Sequence, residues 1–254
     1  MIDLYCERLG PGLWAEPVNG LTNLAFFLAA WGAGRLASRS GTRSPGVTGL
    51  VVLVAVIGVG STLFHTFATT WARVLDVVPI LIFQLWFLWL YARRVIAAGP
   101  GWSGLALAGL VIAALLGRQF HGVFSGSLTY APGLGVLGGL GVYHWQARKR
   151  ERLAMLAAAG AFALALVFRT VDGPVCPYVP WGSHFLWHLL VALVIYWSMR
   201  GLIRNLPADT PAGAPGRVRG FTPGVGGTGG EGEGCGAAGG PAPVRAERHG
   251  GGSS

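Results

Sequence analysis

Residues 183–199 read SHFLWHLLVALVIYWSM, the greater part of an apolar run that reaches residue 204, is long enough to cross a bilayer, and opens on His184 and His188. Imidazole is costly to place in hydrocarbon, so two of them in such a run point to function. Residues four apart lie on one side of an α-helix, and both rings therefore reach a common point, as two ligands of one metal ion must.

Outward from this run, six further stretches of spanning or near-spanning length fall at about 21–37, 47–65, 74–92, 102–117, 131–147 and 153–169. The fifth is rich in glycine (Gly133, Gly135, Gly138, Gly139, Gly141), which weakens a helix in water but permits close helix approach in lipid. With 52% hydrophobic and 11% charged residues, a chain of 254 residues carries more apolar sequence than one soluble core takes in. The sequence predicts an all-α integral membrane protein with seven transmembrane helices. Residues 1–205 form the transmembrane domain, and the Gly/Pro-rich stretch 206–254 is expected to be a disordered tail, since it has few apolar side chains to offset backbone ordering. The polar stretch before the first run has no basic n-region, so no cleavable signal peptide is expected.

The net charge of +9 invites a nucleic-acid reading, but the basic residues sit in short loops and in the tail, with no basic face. Arg35, Arg39 and Arg43 follow the first run, Arg93 and Arg94 the third, and Arg148, Lys149, Arg150 and Arg152 the fifth. The N-terminal segment and the intervening loops hold single arginines: Arg8, Arg73, Arg118 and Arg169. By the positive-inside rule this alternation places the N-terminus outside and the C-terminus in the cytoplasm. Asp3, Glu7, Glu16, Asp76 and Asp172 then fall on the outer side and Glu151 on the inner. His65, ending the second run, Asp76, opening the third, and His184 with His188, opening the seventh, all meet at the outer end.

Three imidazoles leave a fourth position on Zn²⁺ for water, which suits hydrolysis. His65, His184 and His188 are the expected zinc ligands. Asp76 has two readings, as N-terminal cap of the third helix or as the base that deprotonates the attacking water. Ser61, one turn before His65, is either an oxyanion donor or, beside Gly60, a packing residue. Asp3, Glu7, Glu16 and Asn19 put several oxygen ligands on the outer N-terminal segment; they suit Ca²⁺ or, equally, a capped and solvated start to the first helix. His121 reads as a surface histidine, while His144 and His249 fall on the inner side. Cys6 and Cys176 share the outer side and form either a disulfide or two free thiols, with Cys235 in the tail.

Taken together, Tyr5-Cys6-Glu7-Arg8, Trp14-Ala15-Glu16-Pro17-Val18-Asn19, Thr22-Asn23, Gly60-Ser61-x-x-x-His65, Leu75-Asp76-x-x-Pro79 and Asp172-x-x-x-Cys176 with His184-x-x-x-His188 resemble the alkaline ceramidases. That family belongs to a superfamily of seven-helix membrane hydrolases that also holds adiponectin-type receptors and Per1-like proteins. The resemblance implies zinc on His65, His184 and His188, catalytic Ser61 and Asp76, and a Cys6–Cys176 disulfide. It also implies calcium near Glu7, Glu16 and Asn19, although Asp3 lies one position early, Leu9 replaces a polar ligand, and the Glu7–Glu16 spacing is short. The Ala-, Gly- and Arg-rich composition points to a bacterial member in the inner membrane, with its active site toward the outer side.

The expected activity is zinc-dependent hydrolysis of a ceramide-like membrane lipid to a sphingoid base and a fatty acid. A seven-helix receptor or lipid-binding protein with a structural metal is the alternative. A retinal protein is a poor candidate, because the sole lysine, Lys149, lies in a loop and no spanning helix offers the Schiff base. A haem-binding electron carrier is a second rival, since intramembrane histidines also ligate iron, although His184 and His188 on one helix face cannot supply opposite axial positions to one haem; a colourless purified protein would remove it.

Overall fold

A computed structural model describes residues 1–208 with the exception of His121. The tail from residue 209 on, with Cys235 and His249, lies outside the described residues, as does His121. Among the described residues there is no strand. A short helix α1 (Pro17–Thr22) precedes seven long ones: α2 (Leu24–Ser40), α3 (Pro45–Phe67), α4 (Thr70–Tyr91), α5 (Pro100–Gln119), α6 (Ala131–Gln146), α7 (Ala154–Val175) and α8 (His184–Ile203). A π-helical turn, Ala92–Ile96, prolongs α4, and a 3₁₀ segment, Val123–Tyr130, leads into α6.

The helix ends follow local chemistry. Pro45 and Pro100 each sit in a first turn, where a missing N–H costs nothing, and Ser44 caps α3 by accepting from Val47 N at 3.4 Å. Gly41 closes α2 in the left-handed region, φ +62°. Two boundaries differ from expectation. Helix α4 begins at Thr70, and α7 runs on to Val175 although its expected run stops at 169. The last turns of α7 carry Arg169, Thr170 and Asp172, so hydropathy hides them. They are held by polar contacts instead: Arg169 donates to Ser125 O at 2.9 Å, and Ser183 Oγ donates to Phe168 O at 2.6 Å.

Each long helix packs on its neighbour in sequence, and α8 packs back on α2, so the seven close into a ring. Helix α8 is the most enclosed and α5 the least. Tyr91, Leu50, Ile57, Met155 and Leu202 fill the interior, while Trp31, Val52, Leu105, Ile112 and Val167 stand exposed on the outer faces. An outer surface of that kind suits hydrocarbon, not water. Helices α3, α4 with its π turn, α5, α7 and α8 are each long and apolar enough to cross a membrane. Helices α2 and α6, of 17 and 16 residues, fall short of that length. The chain is an integral membrane protein.

Helices α3 and α4 meet at Gly60. A Cβ placed there would lie 2.0 Å from Leu75 O and 3.2 Å from Asp76 N, so only glycine admits this contact. The close approach brings Ser61 and Asp76, the residues that follow on each helix, to face one another. Below the histidines, α4, α5, α6, α7 and α8 enclose an apolar cavity of about 90 Å³, lined by Phe83, Phe87, Leu137, Phe162, Trp187 and Val194 among others. Along α8 its lining runs from Trp187 to Ser198, which is about 16 Å of helix.

Candidate active site

His65 ends α3 and His184 and His188 open α8, and the three rings converge at one end of the bundle. Each is buried, and their ligand nitrogens all lie within 4.8 Å of one another. The centroids are 4.7 Å apart for His65–His188 and His184–His188, and 5.4 Å for His65–His184.

The hydrogen-bond partners decide which nitrogens face the shared centre. His65 Nδ1 lies 2.5 Å from Glu16 Oε2; a carboxylate only accepts, so Nδ1 carries the hydrogen and Nε2 keeps its lone pair. His188 Nδ1 lies 3.0 Å from Thr22 Oγ1, whose own hydroxyl donates to the carbonyls of Val18 and Asn19, so His188 too donates through Nδ1. His184 Nδ1 is buried and has no hydrogen-bond partner. Two imidazoles oriented by polar partners and a third with an unpaired buried nitrogen are a donor set that fits one metal ion.

Residues outside the expected list build the surroundings. Tyr5 stacks on His184, centroid to centroid 3.6 Å and 16° from parallel. Asp172, buried in α7, fixes the start of α8: its Oδ1 accepts from Ser183 N at 2.7 Å and His184 N at 2.8 Å, and its Oδ2 from Cys6 N at 2.9 Å. A carboxylate at a helix N-terminus satisfies otherwise unpaired N–H groups and the helix dipole together. Gly182, φ +64°, makes room for it, since a Cβ there would meet Asp172 Oδ1 at 2.2 Å. Tyr5, Thr22 and Asp172 all stand within the segments of family resemblance, which was the available signal. Their partners come from distant segments and were not readable.

Asp76 lies beyond the first turn of α4, whose N-cap is Thr69, so the capping alternative is overturned. Because α4 starts four residues earlier than its apolar run, the carboxylate stands inside the helix, half-buried, facing Ser61 and within electrostatic reach of His65. Ser61 is buried one turn below His65 on the same helix.

Glu7, Glu16 and Asn19 come together, whereas Asp3 is exposed. The oxygens of the cluster are already engaged by nitrogen donors. Glu7 accepts from Val18 N at 2.6 Å and Asn19 N at 2.8 Å, which caps α1 from outside. Glu16 accepts from Arg8 Nε at 2.5 Å, His65 Nδ1 at 2.5 Å and Asn19 Nδ2 at 3.1 Å. Burial raises the Glu16 pKa, but the bonds and charges of His65 and Arg8 outweigh it and hold the carboxyl below its ordinary range. Calcium takes six to eight oxygen ligands. Of the three residues that come together only Asn19 Oδ1 lacks a hydrogen-bond partner, Asp3 stands apart on the surface, and a guanidinium already stands at the Glu16 carboxylate, so the cluster does not fit that ion.

A disulfide joins Cys6 to Cys176, with the Cα atoms 5.5 Å apart. It fastens the N-terminal strap, residues 1–16, to the end of α7, beside Asp172. His144 belongs to another place: its Nδ1 lies 2.6 Å from Tyr91 Oη and its Nε2 2.9 Å from Arg150 O.

Comparison with curated proteins returns no match, and neither does comparison with solved structures. The family comparison is positive: residues 11–205 match the profile described as Ceramidase, three-quarters of the chain and every described helix. This chain belongs to the ceramidase family and is a hydrolase that acts on amide bonds, with a lipid as its substrate.

Proposed function

We propose that the chain is a zinc-dependent amidohydrolase that cleaves ceramide-like lipids to a sphingoid base and a free fatty acid. The observation that carries this reading is the buried convergence of His65, His184 and His188 beside the facing pair Ser61 and Asp76. The three histidines would hold zinc, which supplies Lewis acidity and brings the pKa of water down to ~7.

The residues of the chain divide the remaining work. Asp76 takes the proton of the attacking water and returns it to the amide nitrogen as the C–N bond breaks, so one water is consumed and an acid and an amine leave. Ser61 donates to the oxyanion that develops on the carbonyl. Glu16 and Thr22 keep the rings of His65 and His188 turned toward the centre. The acyl chain lies along the apolar cavity that descends from Trp187, entering from lipid between helices, while the polar head stays at the level of the N-terminal strap. The arginine alternation supports an outer active site and a cytoplasmic tail, and the Ala-, Gly- and Arg-rich composition supports a bacterial inner membrane as the location.

Metal analysis of the purified protein, combined with a mass-spectrometric screen of lipid amides, tests the reading. Stoichiometric zinc and release of fatty acid are expected. Alanine at any of the three histidines should remove both. Asp76→Asn should keep zinc and lower turnover by roughly 10²–10⁴-fold, and Ser61→Ala by ~10²-fold. A parent without metal, or an Asp76→Asn variant as fast as the parent, refutes it.

A further inference from the structure

The N-terminal segment resembles one that binds calcium elsewhere in the family, yet its oxygens here are held by nitrogen donors. The centre of that arrangement is Arg8, which is 4% exposed. Its Nε meets Glu16 Oε1 at 2.5 Å, one terminal nitrogen donates to Gly10 O at 3.2 Å, and the other donates to His65 O at 2.7 Å. The His65 carbonyl is among the last four of α3, which the helix leaves without an internal partner and which favour a positive charge. Through Glu16, whose other oxygen takes the His65 Nδ1 hydrogen, the same guanidinium also governs the ring. One side chain therefore grips His65 twice, once at its backbone and once through its imidazole.

We propose that Arg8 is a built-in cation that stands where a divalent ion would otherwise bridge the N-terminal strap to the histidine cluster. The chain accordingly needs no calcium, and Arg8 is a positioning residue for His65. A guanidinium does both because it is always charged and its planar fork reaches two or three acceptors at fixed angles; an ion held by carboxylates carries no hydrogen to give to a helix carbonyl. Removing Arg8 would leave Glu16 buried with its negative charge uncompensated and the end of α3 without its donor.

The positioning half of the proposal rests on the zinc reading above, and the calcium half does not. Two measurements on the full chain in detergent separate them. Equilibrium dialysis with radioactive calcium, and melting in EGTA or in millimolar calcium, should show no stoichiometric calcium and no shift of the transition. One calcium per chain that raises the melting temperature overturns the built-in cation. Zinc affinity by chelator competition should fall ~10–100-fold in Arg8→Gln, the usual scale for a residue that orients a metal ligand, and recover most of that loss in Arg8→Lys, which keeps the charge. If Arg8→Gln does not fold, Arg8→Lys, weaker than the parent through its lost fork, carries the comparison. Parental zinc affinity in the folded variants overturns the positioning role. A parent that holds no zinc refutes the zinc reading, and the calcium dialysis still decides for or against Arg8 as the built-in cation.

Discussion

Adding one methyl group at Gly60 should damage catalysis more than stability. The new Cβ would stand 2.0 Å from the Leu75 carbonyl oxygen, and contacts of Cβ under 3.0 Å are essentially not seen, so α3 and α4 must separate by about 1 Å. Neither partner is a flexible side-chain tip that can swing aside: both are helix backbone. Overpacking of this kind costs ~1–3 kcal/mol. The displaced backbone, however, is that of Leu75 and Asp76, and the methyl is borne by the residue beside Ser61. Misplacing a catalytic group by ~1 Å is worth ~10²-fold in rate. Gly60→Ala should thus lower turnover of a lipid amide by about two orders of magnitude, with only a few degrees lost in melting temperature and with zinc retained, since all three histidines remain. Gly104→Ala in α5, where a Cβ meets nothing within 4 Å, serves as the control and should behave as the parent. A Gly60→Ala protein with parental turnover would show that the α3–α4 contact does not set the Ser61–Asp76 geometry.

Three other perturbations test separate parts of the structure. Asp172→Ala strips the acceptor from three backbone N–H groups; at ~1–3 kcal/mol for each group left unsatisfied, and less than additively, a loss of ~3–5 kcal/mol in denaturation in detergent is expected. Retention of parental stability would mean that the start of α8 finds other partners. Replacing Cys6 with serine opens a loop of 170 residues, for which the chain-entropy relation gives an upper figure of ~5 kcal/mol, and non-reducing peptide mapping of the parent should recover the Cys6–Cys176 pair. Both recovered as free thiols would refute the link. A reporter fused after residue 205 should be cytoplasmic and one inserted near residue 126 exported; cytoplasmic signals at both would break the proposed orientation.

The helices were legible because hydropathy reports lipid contact directly: all seven long helices overlap an expected apolar run, most of them within three residues at either end. The convergence of three histidines was legible from one local fact, the His184–His188 spacing, and one partner on an apolar run, His65. What hydropathy could not show are the polar helical turns, such as Arg169 to Val175, and the short α1, which is held by Glu7 rather than by an apolar face. Nor could it show that Arg8, eight residues before Glu16, is its partner, because the strap that folds them together is pinned far away at Cys176. The acidic N-terminal residues read as ion ligands by their type alone. Their hydrogen-bond partners, which decide the matter, are tertiary.

The strap precedes the helices and is completed by the last of them. Residues 1–16 precede every described helix, yet several of the groups that seat them lie far along the chain: Asp172 on α7, Cys176 just past its end, and His184, on which Tyr5 stacks, on α8. Until those two helices are in place, the strap is held at the end of α3, by Ile2 N on Ala68 O and Arg8 on His65 O, Cys6 has no partner, and His65 stands without the other two imidazoles of its cluster. A chain that stalls before α8 therefore lacks two of the three clustered histidines, whereas the Cys6–Cys176 pair can close as soon as the end of α7 is in place. On the zinc reading proposed above, that order of assembly withholds activity from every copy that lacks α8.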